Sequence, residues 1–195
     1  MKTNNPITYI LAFAFLSIFS SHPVLAEDSP ADTCSSAASL FKEGDIEGAL
    51  EEAQWCVTQL EQLKQGQTST FFKDEINGFK GGKLNQQQTM GISMTERSYS
   101  KDGKVIQVSL SGGSSSTANN AFAAIASFGM QAAQGKKVRI QRRTAVVNDD
   151  GGNVNIIVTL KSGGMLTFDT SDLTSDEAVA FVKAFPVADL DDSRK

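Results

Sequence analysis

Two cysteines placed almost symmetrically about one glycine-aspartate pair constrain this chain more than any other feature. Cys34 lies ten residues before Gly44, and Cys56 eleven after Asp45. Between Thr33 and Lys64 apolar residues recur at helical spacing, first Cys34, Ala37, Ala38 and Phe41, then Ile46, Ala49, Leu50, Ala53, Cys56, Val57, Leu60 and Leu63. Gly44 can end the first helix in a left-handed cap, and Asp45 can cap the second, whose positive end suits Glu47. At ~1.5 Å rise per residue both cysteines reach nearly the same height on the inner face of an antiparallel pair. This geometry predicts a Cys34–Cys56 bridge that staples a helical hairpin over residues 27–64. In the chain-entropy model the bridge contributes roughly 3 kcal/mol.

The order Ala38, Leu40, Phe41, Gly44-Asp45, Ala49-Leu50, Ala53 and Cys56 resembles one unit of the tetratricopeptide repeat. No second copy follows, and a single unit cannot form the concave peptide-binding groove of repeat proteins. The hairpin is therefore either a helical cap on the main domain or a protein-docking module. Trp55, one step off the inner stripe, is a candidate interface anchor or a lid over the domain junction.

The compartment follows from residues 1–26. Lys2, the apolar run Ile7 to Phe19 and the small-residue site Val24-Leu25-Ala26 read as an export signal cleaved after Ala26. The run, about 13 residues, is shorter than the roughly 20 that span a bilayer. Glu27 follows the cut, so no lipid-acceptor cysteine is in place. The expected location is the periplasm, or the medium if secreted, where an oxidising environment favours the disulfide. No transmembrane segment is expected after cleavage.

The charge of −4 becomes one unit more negative on loss of Lys2. Such a chain has no general attraction for nucleic acid, whose binding rests on clustered cations. The single histidine, His22, lies in the signal. The rest therefore lacks an imidazole for Ser-His-Asp or Cys-His catalysis and for zinc sites that need a histidine. Asp149-Asp150-Gly151-Gly152-Asn153 lacks the spaced acids and distal Glu of a calcium loop and reads as a hairpin turn. No cofactor or metal is expected.

Polar Gln65 to Ser69 reads as a linker, and residues 70–188 as an α+β domain. Phe71, Phe72, Ile76 and Phe79 suggest a short helix or an aromatic plug. Asp102-Gly103 is a two-residue turn that pairs strand 91–100 with 104–111, setting Tyr99 opposite Ile106 and Arg97 opposite Val108. Strands at 136–147, 154–160 and 165–169 follow, with turns at 148–152 and 162–164. Thr174 and Glu177 form a capping box for a last helix that stops before Pro186, and residues 189–195 read as a solvated polar tail. The fold class is α+β: the stapled hairpin, then a mainly antiparallel sheet of about five strands with two packed helices on one face. The element order is loosely similar to small exported modules of the PsbP-like fold, a resemblance that implies architecture and not activity.

Two further segments are functional candidates. Val105 to Gly135 carries no charge, and its Ala-rich part, with Phe122, Ile125, Phe128 and Met130, reads as a helix apolar all round. Such a helix is a buried core element, a cover for a lipid-sized cavity or a docking surface. Lys136, Lys137, Arg139, Arg142 and Arg143 crowd five cations into eight residues. They form either a solvated edge strand that discourages pairing or a site for an anionic lipid surface or acidic partner.

These features favour a non-catalytic binding or assembly factor that contacts an envelope protein or an anionic partner. A lipid or hydrophobic-ligand carrier is the alternative. A carboxylate-based hydrolase, which needs no histidine, is a further one.

Overall fold

The computed structural model describes residues 29–89, 92–113 and 135–194. The expected export signal and the segment around Phe122, Ile125, Phe128 and Met130, expected as an apolar helix, lie outside the described residues. No described helix is long and apolar enough to cross a membrane.

The chain opens with helices α1 (Pro30–Glu43) and α2 (Ile46–Ser69). Gly44, at φ 88°, closes α1. Its N–H donates to the Phe41 carbonyl and that of Asp45 to the Leu40 carbonyl, the paired bonds that terminate a helix on a left-handed residue. Asp45 Oδ1 then accepts from the Gly48 N–H at 3.0 Å and starts α2. A Cβ at Gly48 would lie 2.5 Å from Asp45 Oδ2, so the glycine makes room for the cap. The segment 65–69, expected as a linker, is instead the end of α2. There Thr68 is buried, and its hydroxyl donates to the Lys64 carbonyl at 2.8 Å, so polarity without apolar periodicity did not stop the helix.

Eight strands follow: β1 (Glu75–Ile76), β2 (Phe79–Thr89), β3 (Ile92–Lys101), β4 (Lys104–Gly113), β5 (Lys136–Ile140), β6 (Arg143–Asp149), β7 (Val154–Thr159) and β8 (Met165–Thr170). They form one antiparallel sheet in the order β1-β2-β3-β4-β8-β7-β6-β5. Two four-stranded meanders thus meet along their last strands, with Val108 opposite Phe168. The Asp102-Gly103 turn closes β3 and β4 with both residues at positive φ, and Tyr99 faces Ile106 and Arg97 faces Val108 as the turn dictates.

The sheet has eight strands where about five were expected, for two reasons. β1 is two residues long, and most of the glutamine-rich β2 is exposed, so neither shows a burial alternation. The single strand expected over 136–147 folds back at Gln141-Arg142, both at positive φ, into β5 and β6. That turn contains no glycine or asparagine. Its Gln141 is fixed from elsewhere: the amide donates to the Lys183 and Phe185 carbonyls at 2.9 and 2.8 Å, and Oε1 accepts from the Ala188 N–H at 2.8 Å.

Helices α3 (Ser175–Ala184) and α4 (Val187–Asp192) cover one face of the sheet. Thr174 and Glu177 make the expected capping box. Phe181 and Phe185, one turn apart on and just beyond α3, meet Phe72, Phe79, Tyr99 and Phe168 edge to face at 5.2–6.3 Å. The aromatic segment after the hairpin is therefore part of the core, though no helix forms there. Arg97 pins it: its guanidinium donates to the Phe72 carbonyl, to Asp74 Oδ1 at 2.6 Å and to the Gly82 carbonyl at 2.8 Å.

The expected solvated tail is a correction as well. Residues 187–192 form α4, with Leu190 and Asp191 fully buried. Burial of Asp191 is possible because Arg143, Lys161 and Ser162 supply donors to its carboxylate.

Candidate functional site

The hairpin is stapled as its spacing requires, by a Cys34–Cys56 disulfide with Cα atoms 5.0 Å apart. Inside it Ala49 and Cys56 are buried, but much of its apolar surface is not. Phe41 is 66% exposed, and Ile46, Leu50, Trp55, Val57, Leu60 and Leu63 are exposed as well.

These residues are not scattered. At about 100° per residue, Ile46, Leu50, Ala53, Val57, Leu60 and Lys64 fall within about 40° of one line along α2. That line lies roughly a quarter-turn from the direction of Ala49 and Cys56, which faces α1. On the antiparallel α1, Ala38 and Phe41 project to the same side of the hairpin, so the two helices present one apolar strip. Trp55 projects to the opposite side. It is exposed as well. Leu63 continues the inner stripe past the start of the shorter α1. It lines an open groove of about 590 Å³ with Pro30, Gln59 and Gln67.

Charge surrounds the strip. The described hairpin, residues 29–69, carries seven acidic residues against two lysines, Lys42 and Lys64. Glu47 and Glu61 flank the strip on the outer side of α2. The far end of α2 is tied to the sheet by polar contacts. Gln86 donates to the Gln65 carbonyl at 3.2 Å, and Gln88 to Glu61 at 2.6 Å.

The cationic segment divides. Lys136, Lys137 and Arg139 are exposed along β5, the last of the described strands in the sheet order, and Arg142 is exposed in the turn after it. With Lys161, Arg139 and Arg142 line an open surface recess of about 470 Å³. Arg143, expected as part of the same solvated cationic strand, contributes to the wall of that recess but is only 5% exposed. It holds Asp191 at 2.7 Å and Asp192 at 2.9 Å. The fold-back at Gln141-Arg142 breaks the alternation that would have aligned it with Arg139. Donation to the Asp191 carboxylate raises the Arg143 pKa further above its ordinary value, against the burial that lowers it. Burial works to raise the Asp191 pKa. The Ser162 N–H and Arg143 outweigh it and hold the carboxyl below its ordinary value.

Sequence reasoning had marked Trp55 on the hairpin and missed the strip on its other side. The signal is present in the three-four spacing from Ile46 to Leu63, which by itself reads as an inner stripe. No protein-family model, curated protein or solved structure shows a significant match to this chain.

Proposed function

We propose that this protein is a non-catalytic binding or assembly factor of the cell envelope and that the stapled hairpin is the arm that engages its partner. The observation that carries the reading is the apolar strip of Phe41, Ile46, Leu50, Val57 and Leu60, left in solvent on a helix pair that a disulfide holds in shape. A covalently fixed pair loses little conformational freedom when a partner lies along it.

The chemistry around the strip selects the partner. An apolar stripe at helical spacing accepts another amphipathic helix. The acidic surplus of the hairpin, with Glu47 and Glu61 beside the stripe, favours a helix with lysine and arginine on its flanks. It disfavours an anionic surface, and it disfavours a second copy, whose hairpin brings the same negative charge. The occupant is therefore a cationic amphipathic helix of another protein.

A photo-activated cross-linker at Val57, compared with one at Gln62 on the far side of α2, tests this in living cells. The expected Val57 adduct contains a lysine- or arginine-rich amphipathic segment and disappears when Leu50→Glu and Leu60→Glu are introduced. Adducts no stronger at Val57 than at Gln62, or formed only with a second copy of this chain, would overturn the reading.

A further inference from the structure

Past Leu60, where the apolar strip ends at Lys64, α2 meets the sheet over a small cleft whose described side chains carry more positive than negative charge. We propose that this cleft binds a carboxylate, held side-on by the Nε and Nη2 edge of Arg194, with Lys64 beside it. Arg194 is 8% exposed, and among the described residues neither its Nε nor its Nη2 has a hydrogen-bond partner. A buried guanidinium with open donors is costly unless an acceptor reaches it. The two open donors lie on one edge of the guanidinium, the edge whose parallel N–H groups match the two oxygens of a carboxylate.

The surroundings supply cations and not enough anion. Lys64 lines the same cleft, and its pKa is lowered by burial and by the charge of Arg194, with Glu61 acting in the other direction. Glu61 already accepts from Gln88 at 2.6 Å. Asp191 is the anion that acts on Arg194. Its oxygens accept from Arg143 and from the Lys161 and Ser162 N–H groups. The cleft is partly open to solvent, and about 20 Å³ of it is accessible to a water-sized group. Thr95 lines the wall.

The ligand's carboxylate can belong to a small free acid or to the C-terminus of a peptide, and one titration separates them. The full chain, labelled for observation of backbone amides and the Arg194 Nε–H, is titrated with sodium acetate against sodium chloride at equal ionic strength. A tri-alanine peptide, with its C-terminus free or amidated, forms the second arm. Saturable shifts of the Arg194 Nε–H and the Lys64 and Thr95 amides with acetate, absent with chloride, are the expected result. Tighter binding of the free peptide than of acetate, lost on amidation, assigns the site to chain termini; equal binding assigns it to small acids. Arg194→Lys keeps the charge and removes the fork, and it weakens binding by about tenfold or more. Lys64→Gln serves as a second variant if Arg194→Lys does not fold. No saturable response to either ligand, or full affinity in the variant that folds, would overturn the proposal.

Discussion

In the hairpin, Ala49 and Cys56 are the buried apolar residues and a disulfide joins the helices. In the sheet, β4, β7 and β8 each bury alternate side chains against α3 and α4, with no covalent tie. Burial of apolar surface stabilises by roughly 25 cal/mol per Å², so the sheet holds itself while the hairpin cannot bury enough to do so. The staple releases the hairpin from that requirement. Its leucines, isoleucine and phenylalanine can then stay at the surface, where a partner reaches them. The two regions show that covalent and hydrophobic stabilisation leave different surfaces behind.

The largest effect that would break this comparison belongs to the ion pair that the sheet domain buries most deeply among the described residues, Arg143 with Asp191. Arg143→Ala leaves Asp191 buried without its guanidinium, and a loss of about 3–5 kcal/mol is expected in urea unfolding at neutral pH. The sign with pH follows from the depressed Asp191 pKa. The pair's contribution is fully present above the ordinary carboxylate range and fades as pH falls through the folded value. The gap between Arg143→Ala and the parent should narrow in acid. A gap that stays constant, or one below about 1 kcal/mol at neutral pH, would show that apolar burial alone holds α4 to β6.

The staple comes next in size. Cys34→Ser removes a crosslink between residues 22 apart, worth roughly 3 kcal/mol. Amide exchange in α1 and α2 should accelerate by about two decades, while exchange at Ile106, Val108 and Phe168 stays as it was. Equal acceleration in both regions would mean that hairpin and sheet unfold as one unit.

What the sequence disclosed divides along the same line. Cys34, Gly44, Asp45 and Cys56 place the hairpin because each acts through its immediate neighbours or through helix rise. Asp102-Gly103 gives the β3–β4 register for the same reason. Thr174 and Glu177 start α3 locally. The failures involve residues whose roles are set by distant partners. Gln141 turns the chain because backbone groups of Lys183, Phe185 and Ala188 hold its side chain. Arg143 is drawn out of solvent by Asp191, itself buried only because Lys161 and Ser162 donate to it. The exposure of Ile46 to Leu60 was hidden for the opposite reason: helical periodicity marks a face as apolar without saying what covers it.

Tyr99 offers the smallest and sharpest test of whether the sheet core rests on apolar contact. Its ring lies edge to face with Phe181 at 5.3 Å, and it is fully buried. Among the described residues its hydroxyl makes no hydrogen bond of ordinary geometry; the nearby Arg97 guanidinium, 5.8 Å from the ring centre, directs its donors at Phe72, Asp74 and Gly82. Burial pushes the Tyr99 pKa up to about 12, overcoming the neighbouring Arg97 charge that lowers it. An unbonded buried hydroxyl costs free energy that a hydrogen atom in its place does not. Tyr99→Phe should therefore unfold at the same temperature as the parent or slightly above it, with a change of at most about 1 kcal/mol. A loss larger than that would mean the hydroxyl contributes a bond in solution, and the core would then share the polar dependence that Arg143 introduces at the other end of the sheet.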